Sequence, residues 1–178
     1  MSESTVAIRY AKSLIELAQE KKVVDTVYQD MVFFKKVAQE NRGLMLALRS
    51  PVVRHDKKLA ILKGVFKDRV NPVSYTIFDI ITRKNRESII DSIAEEYIKL
   101  YNDRQGIVKA YVTSSIPLTS DLRKQFINVV AEATGKTVEL EEKVDEKLIG
   151  GYILRVGDRQ IDASIRKSLN DLKLKLLN

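Results

Sequence analysis

The chain of 178 residues contains no cysteine and no tryptophan, a single histidine, three prolines and seven glycines. Without cysteine there is no disulfide framework, no thiolate nucleophile and no thiolate-bound metal. The lone His55, in the polar context "RHDKK", cannot build the usual metal triad. No serine sits in a nucleophile elbow. No apolar run approaches the roughly 20 residues needed to span a bilayer. The opening "MSESTVAIRYAKSL" has neither a basic leader followed by an apolar core nor an Arg-rich transit composition, so the chain is expected to stay in the compartment where it is made.

What is present is an ordinary globular mixture, 44% hydrophobic and 31% charged, with a net charge of +7. Five of the seven excess positive charges fall within residues 1–105 and two in the remainder. Neither part holds a long block of one sign, so the basicity reads as a solvated surface rather than a nucleic-acid footprint. It also suits docking onto acidic protein partners or lying near an anionic membrane.

Up to about Gln105 the sequence reads as helix after helix. Ala7, Ala11, Leu14 and Ala18 recur at the helical period, and Val27, Tyr28, Met31, Phe34 and Ala38 repeat it in a second helix. A short third piece, "LMLAL", follows Gly43 and is broken at Pro51. A fourth helix carries Leu59, Leu62, Val65 and Phe66 on one face. In "NPVSYTIFDIITRKN" Asn71 is placed as N-cap and Pro72 at the first helical position. Ser88 with Asp91 is read as starting a sixth helix, with Ile90, Ile93, Ala94, Tyr97, Leu100 and Tyr101 in one stripe up to Gly106. The expectation is an all-α, six-helix N-terminal bundle over residues 1–105.

At Gly106 the period changes to two. "IVKAYVTSS" alternates as a strand, a helix follows from about Ser120 to Thr134, and "TVELEEKV", "GGYILRV" and "RQIDA" read as three more strands. A closing helix over about Ser164 to Leu177 puts Ile165, Leu169, Leu172 and Leu176 on one side. Residues 106–178 are therefore expected to form a small α/β (α+β) domain.

A search for chemistry returns backbone roles. "EATGKT" ends like a phosphate loop, but Val130 stands where the pattern needs glycine, and the segment runs from helix to strand. Gly150, Gly151 and Gly157 lack the spacing of a dinucleotide fingerprint. Gly157 and Asp158 instead suit a two-residue hairpin turn of type II′, and the pair Gly150–Gly151 suits a bulge or close backbone packing. Glu141 with Glu142, and Glu95 with Glu96, are adjacent in sequence, which points them apart in a strand or a helix, so neither pair resembles a glycosidase dyad. No cofactor or metal is expected.

Contact is the remaining route to function. The first helix has a second apolar stripe, Val6, Tyr10 and Leu17 with Ser13 between. The fifth, with Val73, Ile77, Phe78, Ile80 and Ile81, is apolar around most of its circumference. Such a helix is either central in its domain or completed by a partner, and the two helices together could form a groove for an amphipathic helix.

"IRYAKSLIELA", "LRSPVVRHDKKLAIL" and above all "VDEKLIGGYILRVGDRQIDASIRKSLNDL" resemble the delta subunit of F-type ATP synthases, whose mitochondrial counterpart is the oligomycin-sensitivity-conferring protein. The resemblance covers essentially the whole chain. One departure is Ala163, where the family pattern reads "IDGS". The resemblance implies a non-catalytic stator in a proton- or sodium-translocating enzyme, present once per complex and monomeric alone, held peripherally at the cytoplasmic side of a bacterial membrane. It implies that the helical domain receives the N-terminal helix of an alpha subunit on Tyr10, Ser13, Ile77 and Ile80, with Leu17 and Lys84 as neighbours. It further implies that the second domain, over about Leu148 to Leu177, meets the C-terminal ends of the b subunits, and that no nucleic acid is bound. The alternative is a free-standing basic adaptor or nucleic-acid module, and a third class is an ATP-using enzyme.

Overall fold

The computed structural model describes residues 3–177, and the side chains of residues 4–174. Two compact units divide the chain, Met1–Tyr101 and Asn102–Asn178. The division falls inside the last turn of a helix that ends at Gln105. The change of sequence period marks where that helix stops, a few residues after the first unit's packing has ended.

The first unit is helical: α1 (Glu3–Glu20), α2 (Val24–Glu40), α3 (Arg42–Arg49), α4 (His55–Phe66), α5 (Pro72–Arg83), a 3-10 turn (Glu87–Ile89) and α6 (Ile90–Gln105). Ala7, Ala11, Leu14 and Ala18 of α1 are fully buried, the small alanines letting neighbouring backbones approach. At the centre Phe34, Phe66 and Phe78 pack ring against ring, with centroids 5.2–5.6 Å apart. The start of α5 follows the expected pattern: the Asn71 side chain accepts from the Val73 amide at 2.9 Å, with Pro72 leading the helix. A buried acid reinforces it. Asp30 of α2 accepts from the Asn71 amide at 2.8 Å and the Ser74 hydroxyl at 2.6 Å, fastening α2 to the first turn of α5.

The expected Ser88–Asp91 start of the sixth helix is corrected. The 3-10 turn precedes α6, which begins at Ile90. The Asp91 carboxylate faces Lys35 at 3.5 Å and Arg49 at 3.7 Å, because cations from α2 and α3 offer it stronger partners than a neighbouring amide.

The second unit contains β1 (Ile107–Ser114), α7 (Ser120–Thr134), β2 (Thr137–Val144), β3 (Gly151–Val156), β4 (Arg159–Ser164) and α8 (Ile165–Leu177). Its sheet has the order β2-β1-β3-β4. The β1–β2 pair is parallel, joined by the crossover through α7, and the other pairings are antiparallel. The core is small: Ala110, Val112, Val130 and Leu154, with Phe126 set edge-on to Tyr152 at 4.8 Å.

The glycines hold backbone positions. Gly135 ends α7 at φ 66°, so the phosphate-loop look-alike is a helix terminus. Gly157 has φ 56° between the paired residues Val156 and Arg159, while Asp158 keeps a negative φ, as the II′ turn requires. Gly151 is the tightest: at φ 80°, a Cβ there would lie 2.2 Å from the carbonyl oxygen of Ala163.

Candidate partner-binding surfaces

In the first unit α1 packs on α5, and the six residues expected at their seam divide by depth. Ile77 is 9% exposed and belongs to the core, so it can form only the floor of a groove. Tyr10 is half-buried. Leu17 (37% exposed) and Ile80 (41%) keep apolar surface in water, and Ser13 and Lys84 are exposed. Of the two readings of the fifth helix, the structure bears out the central one. It is central, burying Ser74, Ile77, Phe78, Ile81 and Thr82, and Ile80 lies on the side left open.

Lys84 caps α5, its amide donating to Ile80 and Ile81 at 3.2 and 3.1 Å, and the chain turns at Asn85 with φ 53°. Two residues on, Arg86 Nη1 reaches the Tyr10 hydroxyl at 3.5 Å, a long contact that spans from the end of α5 to α1. The periodicity of the sequence did not reveal Arg86, since it lies in a turn. Nor did it reveal the ion pair between Lys58 and Glu87, the residue that follows that turn.

In the second unit the stretch from Leu148 onward carries the exposed apolar side chains Ile149, Ile161, Ile165, Leu169 and Leu172. The stripe expected on α8 is present at Ile165, Leu169 and Leu172, with Leu169 56% and Leu172 59% exposed; Leu176 lies outside the described side chains. An open depression of about 570 Å³ beside α8 is walled by Ile149 and Leu169, with Arg166, Lys167 and Lys173 at its rim. The start of α8 is tied down locally. Asp162 Oδ1 accepts from the Ser164 amide at 2.9 Å, and Ser164 Oγ from the Lys167 amide at 3.2 Å. Hydrogen bonds from the Ser164 side chain and amide, with Lys167 nearby, hold the Asp162 pKa below its ordinary value. The Ile165 amide also donates to the Gly150 carbonyl at 3.0 Å, so the glycine pair does pack closely against the root of this helix.

Several other charged groups pair with one another. Glu141 and Glu142 part as expected, Glu141 to Lys109 at 3.2 Å and Glu142 to Arg123. Burial works against the charge on Lys109, yet Glu141 and Glu139 hold its pKa above the ordinary lysine value. His55 Nε2 meets the exposed Asp56 carboxylate at 2.7 Å. Among the described residues no three His, Cys, Asp or Glu side chains gather as a metal site, and no helix is long and apolar enough to cross a membrane.

Each of the two units leaves a group of apolar side chains open to solvent, as subunits of larger assemblies do. A family model described as "ATP synthase delta (OSCP) subunit" matches residues 6–176, and the chain belongs to that family. It is 40% identical to the ATP synthase subunit delta of Cytophaga hutchinsonii, over 98% of this chain and 96% of that protein. With that of Flavobacterium johnsoniae it shares 36% identity over the full length of both. The fold also matches a chain of the Toxoplasma gondii mitochondrial ATP synthase hexamer, with a TM-score of 0.75 over 97% of each chain at 19% identity. The family is structural and non-catalytic, a stator component of F-type ATP synthases, and the reading as a free-standing adaptor or nucleic-acid module finds no support.

Proposed function

We propose that the two open seams are the two ends of a mechanical link. The six helices of the first unit, acting as one bundle over residues 1–105, take the N-terminal helix of an alpha subunit along α1 and α5. Tyr10, Leu17 and Ile80 supply apolar contact, Ile77 the floor, and Ser13 and Lys84 the polar margin. The second unit, residues 106–178, takes the C-terminal ends of the b subunits along Leu148–Leu177. The protein sits once per complex, on the cytoplasmic face of the membrane, and is a monomer when isolated.

The observation that carries this reading is the exposure of Leu17 and Ile80 on two helices packed side by side. Each apolar anchor covered by a partner gains about 1.5–3 kcal/mol gross, and ordering costs consume part of it. A stator has to hold under rotary torque, which calls for slow dissociation. Two contacts made by one chain raise the effective concentration of the second once the first has formed.

The test is titration calorimetry of the full chain with a peptide of the alpha subunit's N-terminal helix. Ile80→Asp is expected to weaken binding at least tenfold, as a charge buried without a partner does, while the melting temperature stays near wild type. Unchanged affinity would remove this groove from the proposal.

A further inference from the structure

In the first unit Lys58 of α4 and Glu87 of the 3-10 turn form an ion pair with Nζ–Oε1 2.6 Å, and their side chains are 7% and 5% exposed. The second carboxylate oxygen, Glu87 Oε2, is buried with no hydrogen-bond partner. A core selected for stability alone has little use for this arrangement. Taking two charges out of water offsets most of their attraction, and an orphaned oxygen adds to the cost. Apolar side chains of similar size would fill the space at least as well.

The pair does have a defined position. Glu87 directly follows Arg86, whose amide donates back to Ile81 at 3.1 Å and whose guanidinium meets Tyr10. Lys84, Asn85 and Arg86 form the whole turn between α5 and the 3-10 segment. Anchoring Glu87 from α4 fixes the far side of that turn, since α5 fixes the near side.

We infer that the buried Lys58–Glu87 pair is a positioning device that sets the α5 turn, so that Arg86 stands against Tyr10 and closes the basic end of the α1–α5 groove. A hydrophobic pair could fill the volume. It would not pin the turn in one register, because apolar contact lacks the directionality of a 2.6 Å ion pair. The inference rests on the groove reading proposed above.

The decisive variant is Lys58→Met/Glu87→Leu in the full chain, which leaves neither charge stranded. Two measurements are taken: affinity for the alpha-subunit N-terminal peptide by calorimetry, and hydrogen exchange at the Arg86 amide by NMR. The double variant is expected to melt close to wild type, to bind the peptide about tenfold more weakly, and to exchange the Arg86 amide about tenfold faster. Lys58→Arg, which keeps the cation, is expected to retain most of the affinity. Wild-type affinity and wild-type exchange in the double variant would overturn the inference. If the wild-type chain does not bind the peptide at all, the groove reading fails, and the exchange rate alone then decides whether the pair sets the turn. Should the double variant melt early, both measurements pass to Lys58→Met/Glu87→Gln, which keeps the shape of the glutamate, with the same outcomes for and against.

Discussion

The two units differ most in how much apolar surface each buries for itself. Among the described residues the helical unit holds twenty-one buried apolar side chains, and the α/β unit four. The first is a core of interlocked rings and alanines. The second has a sheet covered by α7, while Leu169, Leu172 and Leu174 of α8 stay more than half exposed. A small core is marginal on its own, so part of what stabilises the second unit is expected to come from what covers α8. The difference is one of placement: the helical unit leaves only a narrow seam of apolar side chains in water at Leu17 and Ile80, the α/β unit a broader run along α8 and its neighbours.

The contrast can be broken most sharply from within the larger core. Phe66→Ala removes a ring packed against both Phe34 and Phe78 and is expected to cost the helical unit about 3–5 kcal/mol. Urea unfolding followed by NMR should show the α/β unit melting as before. In the α/β unit the strongest lesion is Gly151→Val. It places a β-branched residue at φ 80° and drives its Cβ into the Ala163 carbonyl, for an expected loss of about 3 kcal/mol or more. A Cβ at Gly157 would meet nothing within 4 Å beyond its chain neighbours, and the cost of Gly157→Val should be about 1–2 kcal/mol of left-handed backbone strain. Equal losses at the two glycines would mean that close packing of β3 on β4 is not what Gly151 serves.

Leu169→Asp should leave the isolated chain within about 0.5 kcal/mol of wild type, because the side chain is already in water. Its effect belongs to assembly: pull-down of peptides from the C-terminal ends of the b subunits should fall away. A stability loss instead would show that α8 already buries this face in the free protein. The smallest effect concerns Asp162. Its folded pKa lies below the ordinary 3.8, so the stabilisation it contributes is fully present above that value and is lost as pH falls through the lowered folded pKa. Acidification should loosen the first turn of α8, visible as faster exchange at the Ser164 amide.

Much of this architecture was legible in residue spacing. The alanine face of α1, the Asn71–Pro72 start of α5, the change of period after Gly106 and the Gly157 turn all depend on local backbone chemistry, which a sequence displays directly. Depth was harder to read. Ile77 and Ile80 are three residues apart on a helix apolar nearly all round, and only the packing of α1, α2 and α4 decides that one is buried and the other is not. Asp30 and Lys58 sit at core-facing positions of otherwise apolar stripes, four residues before Phe34 and Leu62. That pattern signals a buried charge, but its partner lies far along the chain and periodicity cannot supply it. For α8 the sequence shows a stripe, and a stripe does not say whether anything covers it.

The order of strands in the sheet has a consequence for how the chain is made. β1 is the first part of the sheet to be synthesised, yet it ends up between β2 and β3, both of which come later. By then the helical unit is complete in sequence and able to fold, since domains generally fold as units in the order of synthesis. β1 meanwhile has two unpaired edges, and its pairing with β3 cannot begin until residues beyond Gly151 have emerged. Lys109, in the middle of the strand, is a charge of the kind that discourages a waiting edge from pairing with a stranger. On the ribosome, therefore, the unit proposed to take the alpha subunit's N-terminal helix is ready first, and the sheet that carries α8 closes only near the end of translation.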